Sequence, residues 1–289
     1  MTRAAQLRAL LAAPGIHVAP GVYDGMSTRF AAGHGFPLLY LSGGGSAASV
    51  LGEPDIGLLD LELMLGQVRR ISSVIDVPLI ADADTGFGGP RNVIRTVRQY
   101  EKAGAAGLHI EDQVFPKRCG HLDGKEVVAI PEFVTKLEAA VAYRHDPDFV
   151  IIARTDAREP LGLDAAIERA VAYKAAGADV IFVEAPRSRE EIERIAREVE
   201  GPLLINVVMR GRTPAVPLDE LAALGYKVAI FPSVASRPAA AAIAQSMRTL
   251  AETGGYGETT GMTPLEYFTS LGLDWWSQVD GALTQDAVP

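Results

Sequence analysis

The sequence predicts an α/β fold of the TIM type, a (β/α)8 barrel of parallel strands surrounded by helices. Three observations carry this. Eight short apolar, β-branched runs recur along 289 residues. Each run is continuous rather than alternating, as expected of parallel strands covered on both faces. Amphipathic helical stretches separate the runs, and parallel crossovers of one hand close into a barrel at eight units. A doubly wound open sheet is the alternative.

The runs occupy residues 17–24, 38–43, 78–84, 107–112, 150–156, 180–185, 203–208 and 227–233, and helical spacing marks 91–102, 132–143, 164–176 and 190–198. Two joints look alike: Lys102-Ala-Gly-Ala-Ala-Gly-Leu-His-Ile-Glu111 and Lys174-Ala-Ala-Gly-Ala-Asp-Val-Ile-Phe-Val-Glu184. Each reads as helix end, glycine turn, strand. No Pro/Ser-rich linker interrupts the chain, so 1–289 is expected to be one domain. Residues 237–253 read as the last barrel helix. A polar, glycine-rich stretch follows at 252–261, then a helix over 263–271 and the pair Trp275–Trp276. Paired aromatics need a surface. The extension 252–289 is therefore expected to pack on a neighbouring subunit, or else on its own barrel.

Composition excludes several classes. The chain is 48% hydrophobic and 22% charged, which suits a soluble domain. No run of about 18 apolar residues predicts a membrane span, and no apolar leader segment is visible at the N-terminus. A net charge of −9 without a basic run disfavours nucleic acid. A single cysteine precludes an internal disulfide, as expected in the cytoplasm.

The polar residues of such barrels collect at the C-terminal strand ends. Those ends carry Tyr23, Asp24, Tyr40, Ser42, Gly43, Asp82, Asp84, His109, Glu111, Asp112, Arg154, Asp156, Glu184, Asn206 and Ser233. Carboxylates outnumber cations, and a divalent cation relieves their repulsion. Asp82 and Asp84 share one face of a strand, and His109 and Glu111 repeat the spacing on the next. An oxygen-rich set suits Mg2+, or Mn2+, better than Zn2+. The glycine-rich segment 84–90 lacks the lysine of a P-loop. The segment 115–125 reads as a closing loop. It carries Cys119 among Lys117, Arg118 and His121, cations that would favour a reactive thiol.

The motifs Pro-Lys-Arg-Cys-Gly-His (116–121), Ala81-Asp-Ala-Asp84, Leu108-His-Ile-Glu-Asp-Gln113, Ala153-Arg-Thr-Asp156 and Tyr40-Leu-Ser-Gly-Gly44 resemble the isocitrate lyase/phosphoenolpyruvate mutase superfamily. The likeness covers about 15–250 and is strongest to its short members, the methylisocitrate lyases, 2,3-dimethylmalate lyases and carboxyphosphonoenolpyruvate mutases. The resemblance implies a barrel whose eighth helix swaps between subunits in a homotetramer, a dimer of dimers. It implies Mg2+ on Asp84, with Asp82, Asp55, His109 and Glu111 around it. It implies that Tyr40, Ser42, Gly43 and Gly44 hold an α-keto-acid half. Arg154, again with Asp82 nearby, would pair with a substrate carboxylate; Asn206 and Ser233 would line the far half. Cys119 would be the general acid, tuned by Lys117, Arg118 and His121. The implied reaction is cleavage of a small 2-hydroxy di- or tricarboxylate to an α-keto acid. Carboxyphosphonoenolpyruvate-type P–C chemistry or oxaloacetate decarboxylation on the same scaffold is the alternative, and a non-catalytic binding barrel a third. One departure stands out. The lyases carry Asn-x-x-Glu-x-Gly-x-Thr-Pro after the seventh strand; here Met209 replaces the Glu and Arg210 follows. That exchange points to a different or more anionic distal group.

Overall fold

Eight parallel strands close on themselves in sequence order in the computed structural model, which describes residues 1–257 and 261–285. In chain order the elements are α1 (Arg3–Ala12), β1 (His17–Val22), α2 (Gly25–Ala32), β2 (Leu39–Leu41), α3 (Gly43–Ser46), α4 (Leu61–Ser72), β3 (Leu79–Asp82) and α5 (Pro90–Ala103). There follow β4 (Gly107–Glu111), α6 (Ile130–Tyr143), β5 (Val150–Thr155), α7 (Arg158–Leu161), α8 (Leu163–Ala175), β6 (Val180–Val183) and α9 (Arg189–Glu198). The chain ends with β7 (Leu203–Asn206), α10 (Leu218–Ala223), β8 (Tyr226–Phe231), α11 (Ser236–Thr253), α12 (Pro264–Ser270) and α13 (Leu273–Gln285). All eight expected runs are strands. Each stops one or two residues short of the polar end read from sequence, because those ends turn into loops.

Local chemistry explains the elements. Helix α5 starts with Pro90 at its first turn, buries Val93, Val97 and Tyr100 on one face, and ends at Gly104 in the left-handed region. Gly177, in the matching joint, has the same φ of +98° as Gly104, so the two similar sequences make the same turn. Helix α9 is capped by Ser188, whose hydroxyl accepts from the Glu191 N–H.

Period-two alternation along each strand divides the core. Ile151 and Ala153 face the helices, whereas Val150 and Ile152 fill the barrel interior with Ile80, Phe182, Leu204, Val228 and Ile230. Leu7 and Leu11 of α1 plug the N-terminal end. On four strands the next inward position is polar: Asp82 after Ile80, Arg154 after Ile152, Glu184 after Phe182, Asn206 after Leu204. The apolar interior thus stops at one level, and the site begins one residue pair above it.

Helices α11–α13 lie beyond the barrel. No described residue of α11 is buried, and Ile243, Met247 and Leu250 are exposed. Trp275 and Trp276 pack edge to face at 4.5 Å and are 57% and 58% exposed. Parts of the extension read from sequence, 258–260 and 286–289, lie outside the described residues. Among the described residues no helix is long and apolar enough to cross a membrane.

Candidate active site

A cavity of about 530 Å3 opens at the C-terminal end of the barrel. Tyr40, Ser42, Gly44, Asp55, Asp82, Cys119, His121, Arg154, Asn206 and Ser233 all line it. Gly43 lies just beneath: its N–H donates to Asp82 Oδ2 at 3.2 Å, and a Cβ there would stand 2.4 Å from that oxygen. Only glycine permits this approach.

Arg154 is the electrostatic centre. Its Nε and Nη2 fork onto Asp156 at 2.9 and 3.0 Å, its Nη1 lies 3.1 Å from Glu111, and Glu184 is 3.7 Å from Nε. Burial pushes Asp156 up, but Arg154 and Lys125 outweigh it and hold the carboxyl at about 2. Burial drives Glu111 well above the usual carboxylate range, with Arg154 only partly opposing it. Glu111 therefore keeps its proton more readily than Asp156 and takes less of the guanidinium charge. Asp112, the next strand end, accepts from Thr155, Arg169, Tyr173 and the Asp156 N–H. This buried network fixes the Asp156 backbone.

Loop 115–125 covers the cavity. Its feet are paired, Val114 N–H to Glu126 O at 2.8 Å and Val128 N–H to Asp112 O at 2.9 Å. Gln113 accepts from the Arg118 N–H, and its amide nitrogen donates to the Arg118 carbonyl and to Glu111. The Cys119 N–H donates to the Asp55 carbonyl at 3.1 Å. At Gly120 the backbone presses on the charge cluster: a Cβ would lie 2.5 Å from Arg154 Nη2 and 2.6 Å from Glu184 Cγ.

The loop cations take different directions from those their spacing suggested. The Lys117 ammonium is buried between Asp55 and Asp84, 2.7 Å from Asp84 Oδ1. Arg118 is exposed and reaches back toward the Asp123 carbonyl. His121 Nδ1 accepts from the Arg212 N–H at 3.2 Å, which leaves Nε2 to donate to Glu184 at 3.3 Å. Burial lowers the His121 pKa despite Glu184, so the ring favours its neutral form. The Cys119 thiol is pushed up by burial, with the His121 N–H opposing. Burial thus favours the thiol form, whereas the adjacent cations in sequence point to a thiolate. Sequence spacing could not show that Lys117 and Arg118 point away from the sulfur.

The proposed metal donors share one region but have separate partners. Asp82 accepts from the Asp84 and Gly43 N–H groups. His109 Nε2 and the Tyr40 hydroxyl share a hydrogen bond at 2.8 Å, and Glu111 faces Gln113 and Arg154. Among the described residues no three His, Cys, Asp or Glu side chains converge to hold a metal ion. Asp84 is the exception in character. Its φ is +45°, and burial followed by Asp82 and Asp55 raises its pKa to about 7 although Lys117 opposes. Two carboxylates, Asp84 and Asp55, that share the single Lys117 ammonium are a donor set that suits a hard divalent cation.

Glu184, Asp156, Lys125 and Arg237 have no role legible from sequence spacing, although the first two stand at strand ends. Arg237 joins the cavity wall from α11 and donates to the Met209 carbonyl at 2.7 Å; Arg210 lines it too, with φ +56°.

A family model described as phosphoenolpyruvate phosphomutase matches residues 7–251. The chain is 50% identical over 233 residues to 2,3-dimethylmalate lyase of Eubacterium barkeri, covering 81% of each. It is 42% identical over 283 residues to 2-methylisocitrate lyase of Aeropyrum pernix, covering 97% of this chain and 91% of that one. It superposes on oxaloacetate acetylhydrolase bound to 3,3-difluorooxalacetate with a TM-score of 0.93 at 41% identity, covering 98% and 97% of the two chains. With phosphonopyruvate hydrolase bound to oxalate and Mg2+ the TM-score is 0.86 at 32% identity, covering 98% and 99%. A closed barrel, the motifs in order around one cavity, and these likenesses lead to one conclusion: the chain belongs to the phosphoenolpyruvate mutase/isocitrate lyase superfamily of enzymes.

Proposed function

We propose that this chain is a Mg2+-dependent carbon–carbon lyase. Its substrate class is a 2-hydroxy di- or tricarboxylate of the alkylmalate or methylisocitrate type, split into an α-keto acid such as pyruvate and a second carboxylate. One observation carries the reading: Cys119, Tyr40, Asp82 and Arg154 line a single cavity in a chain half identical to a 2,3-dimethylmalate lyase.

Arg154 receives a substrate carboxylate, since a planar guanidinium suits that geometry. Ser42, Gly43, Gly44 and Tyr40 position the keto-acid half; Asn206 and Ser233 position the other. Asp84 and Asp55 would hold Mg2+, with Asp82, His109 and Glu111 behind them, and the ion when bound supplies charge that polarises the carbonyl formed on cleavage. In the cleavage, the hydroxyl proton leaves to a base and the oxygen electrons form the C=O. The C–C bond breaks, and its electron pair takes the Cys119 proton, leaving a thiolate. A positioned acid of this kind contributes about 10²–10⁴-fold. Gly120 lets loop 115–125 seat directly on Arg154, which excludes water from the carbanion.

The likeness to oxaloacetate acetylhydrolase favours one second reading, hydrolytic C–C cleavage of an oxaloacetate-type acid on the same site. The exposed apolar residues of α11 and the Trp275–Trp276 pair favour a homo-oligomer, and the single cysteine a cytoplasmic setting. Incubating the protein with 2,3-dimethylmalate, 2-methylisocitrate and oxaloacetate, with Mg2+ or with EDTA, tests the reading. Keto acid from a hydroxy acid in Mg2+ supports it; oxalate from oxaloacetate alone supports the second.

A further inference from the structure

Lys125 stands at the returning foot of loop 115–125, yet its side chain points inward and is fully buried. Its ammonium donates to the Gly120 carbonyl at 2.6 Å and to Asp156 Oδ1 at 2.9 Å. Asp156 in turn forks onto Arg154. The backbone next to Cys119 is therefore joined to the substrate-facing arginine through one side chain. No other cation reaches the Gly120 carbonyl, among the described residues. A buried ammonium with a carbonyl and a carboxylate as partners is locked in direction. This contact grips the loop at its middle, whereas main-chain pairing holds its feet.

We propose that Lys125 is a positioning residue that latches loop 115–125 closed on the Arg154–Asp156 pair, so that Cys119 is presented to the cavity only while the latch is made. This rests on the lyase reading for its purpose but not for its test. In the absence of Lys125 the Gly120 carbonyl loses its donor, the apex lifts, and Cys119 becomes open to solvent while the barrel stays intact.

Cys119 is the only cysteine, so alkylation of the whole protein by iodoacetamide reads this loop alone. The measurement compares wild type with Lys125→Met and Lys125→Gln, alongside thermal unfolding and, once a substrate is in hand, kcat and KM. A shift of about 1 Å at a reacting group costs about 100-fold in rate. Lys125→Met is expected to lower kcat on that scale with a smaller change in KM, and to speed alkylation at least tenfold. Lys125→Gln retains a donor for the Gly120 carbonyl and should fall between. Alkylation at least tenfold faster than wild type, measured well below each variant's own unfolding midpoint, supports the latch. Equal alkylation rates in folded variants overturn it. If Lys125→Met does not fold, Lys125→Gln decides by the same criterion. An absence of turnover on every hydroxy acid would count against the lyase reading and leave the alkylation result standing.

Discussion

Lys117 and Asp84 form a buried ion pair, Nζ to Oδ1 at 2.7 Å, with Asp55 on the other side of the ammonium. An amine carried by the loop thus compensates two carboxylates that repel each other. Replacing it uncovers them. Lys117→Met should lose roughly 3 kcal/mol of stability in EDTA, the scale of a broken buried pair. Mg2+ should restore much of that loss in the variant and do less for wild type. Thermal unfolding with EDTA or with Mg2+ checks this; no Mg2+ effect on the variant would place the ion elsewhere.

The pH dependence follows from Cys119. Burial lifts its pKa above the ordinary value of 9.0. A raised group favours the folded state fully below its unfolded pKa, and that contribution is lost as pH rises through the folded value. The proton donor is likewise intact across neutral pH and lost only above about 9. The rate of alkylation by iodoacetamide should therefore keep rising beyond pH 9. An inflection below pH 8 would mean a thiolate site.

Gly120→Ala is expected to leave the fold in place and to lower kcat about 100-fold, because the new methyl collides with Arg154 and Glu184. Steady-state kinetics and an unfolding curve together check it.

Much of this molecule is legible in sequence, for identifiable reasons. Continuous apolar runs mark parallel strands because both faces are covered, and the change from Ile152 to Arg154 or from Leu204 to Asn206 marks where the interior ends. Direction is what spacing does not convey. Lys117, Arg118 and His121 sit within two positions of Cys119, yet they serve Asp84, the solvent and Glu184 respectively. Lys125, only a loop-end lysine in sequence, owes its place to the return of the loop over Asp156.

Arg210 and Arg237 add two cations to the cavity wall beside Met209. Arg210→Ala should raise KM about tenfold for hydroxy acids with a charged distal group, the scale of about 1.4 kcal/mol, and change little for those with an alkyl one. Competing the two acids against wild type and variant reads the difference.

The most direct test of the central claim compares wild type and Cys119→Ser on the best hydroxy acid from the panel, in Mg2+, by release of keto acid. The variant is expected to fold like wild type, bind the acid with similar affinity, and turn over about 10²–10⁴-fold more slowly. A folded Cys119→Ser protein with near-full turnover would contradict it.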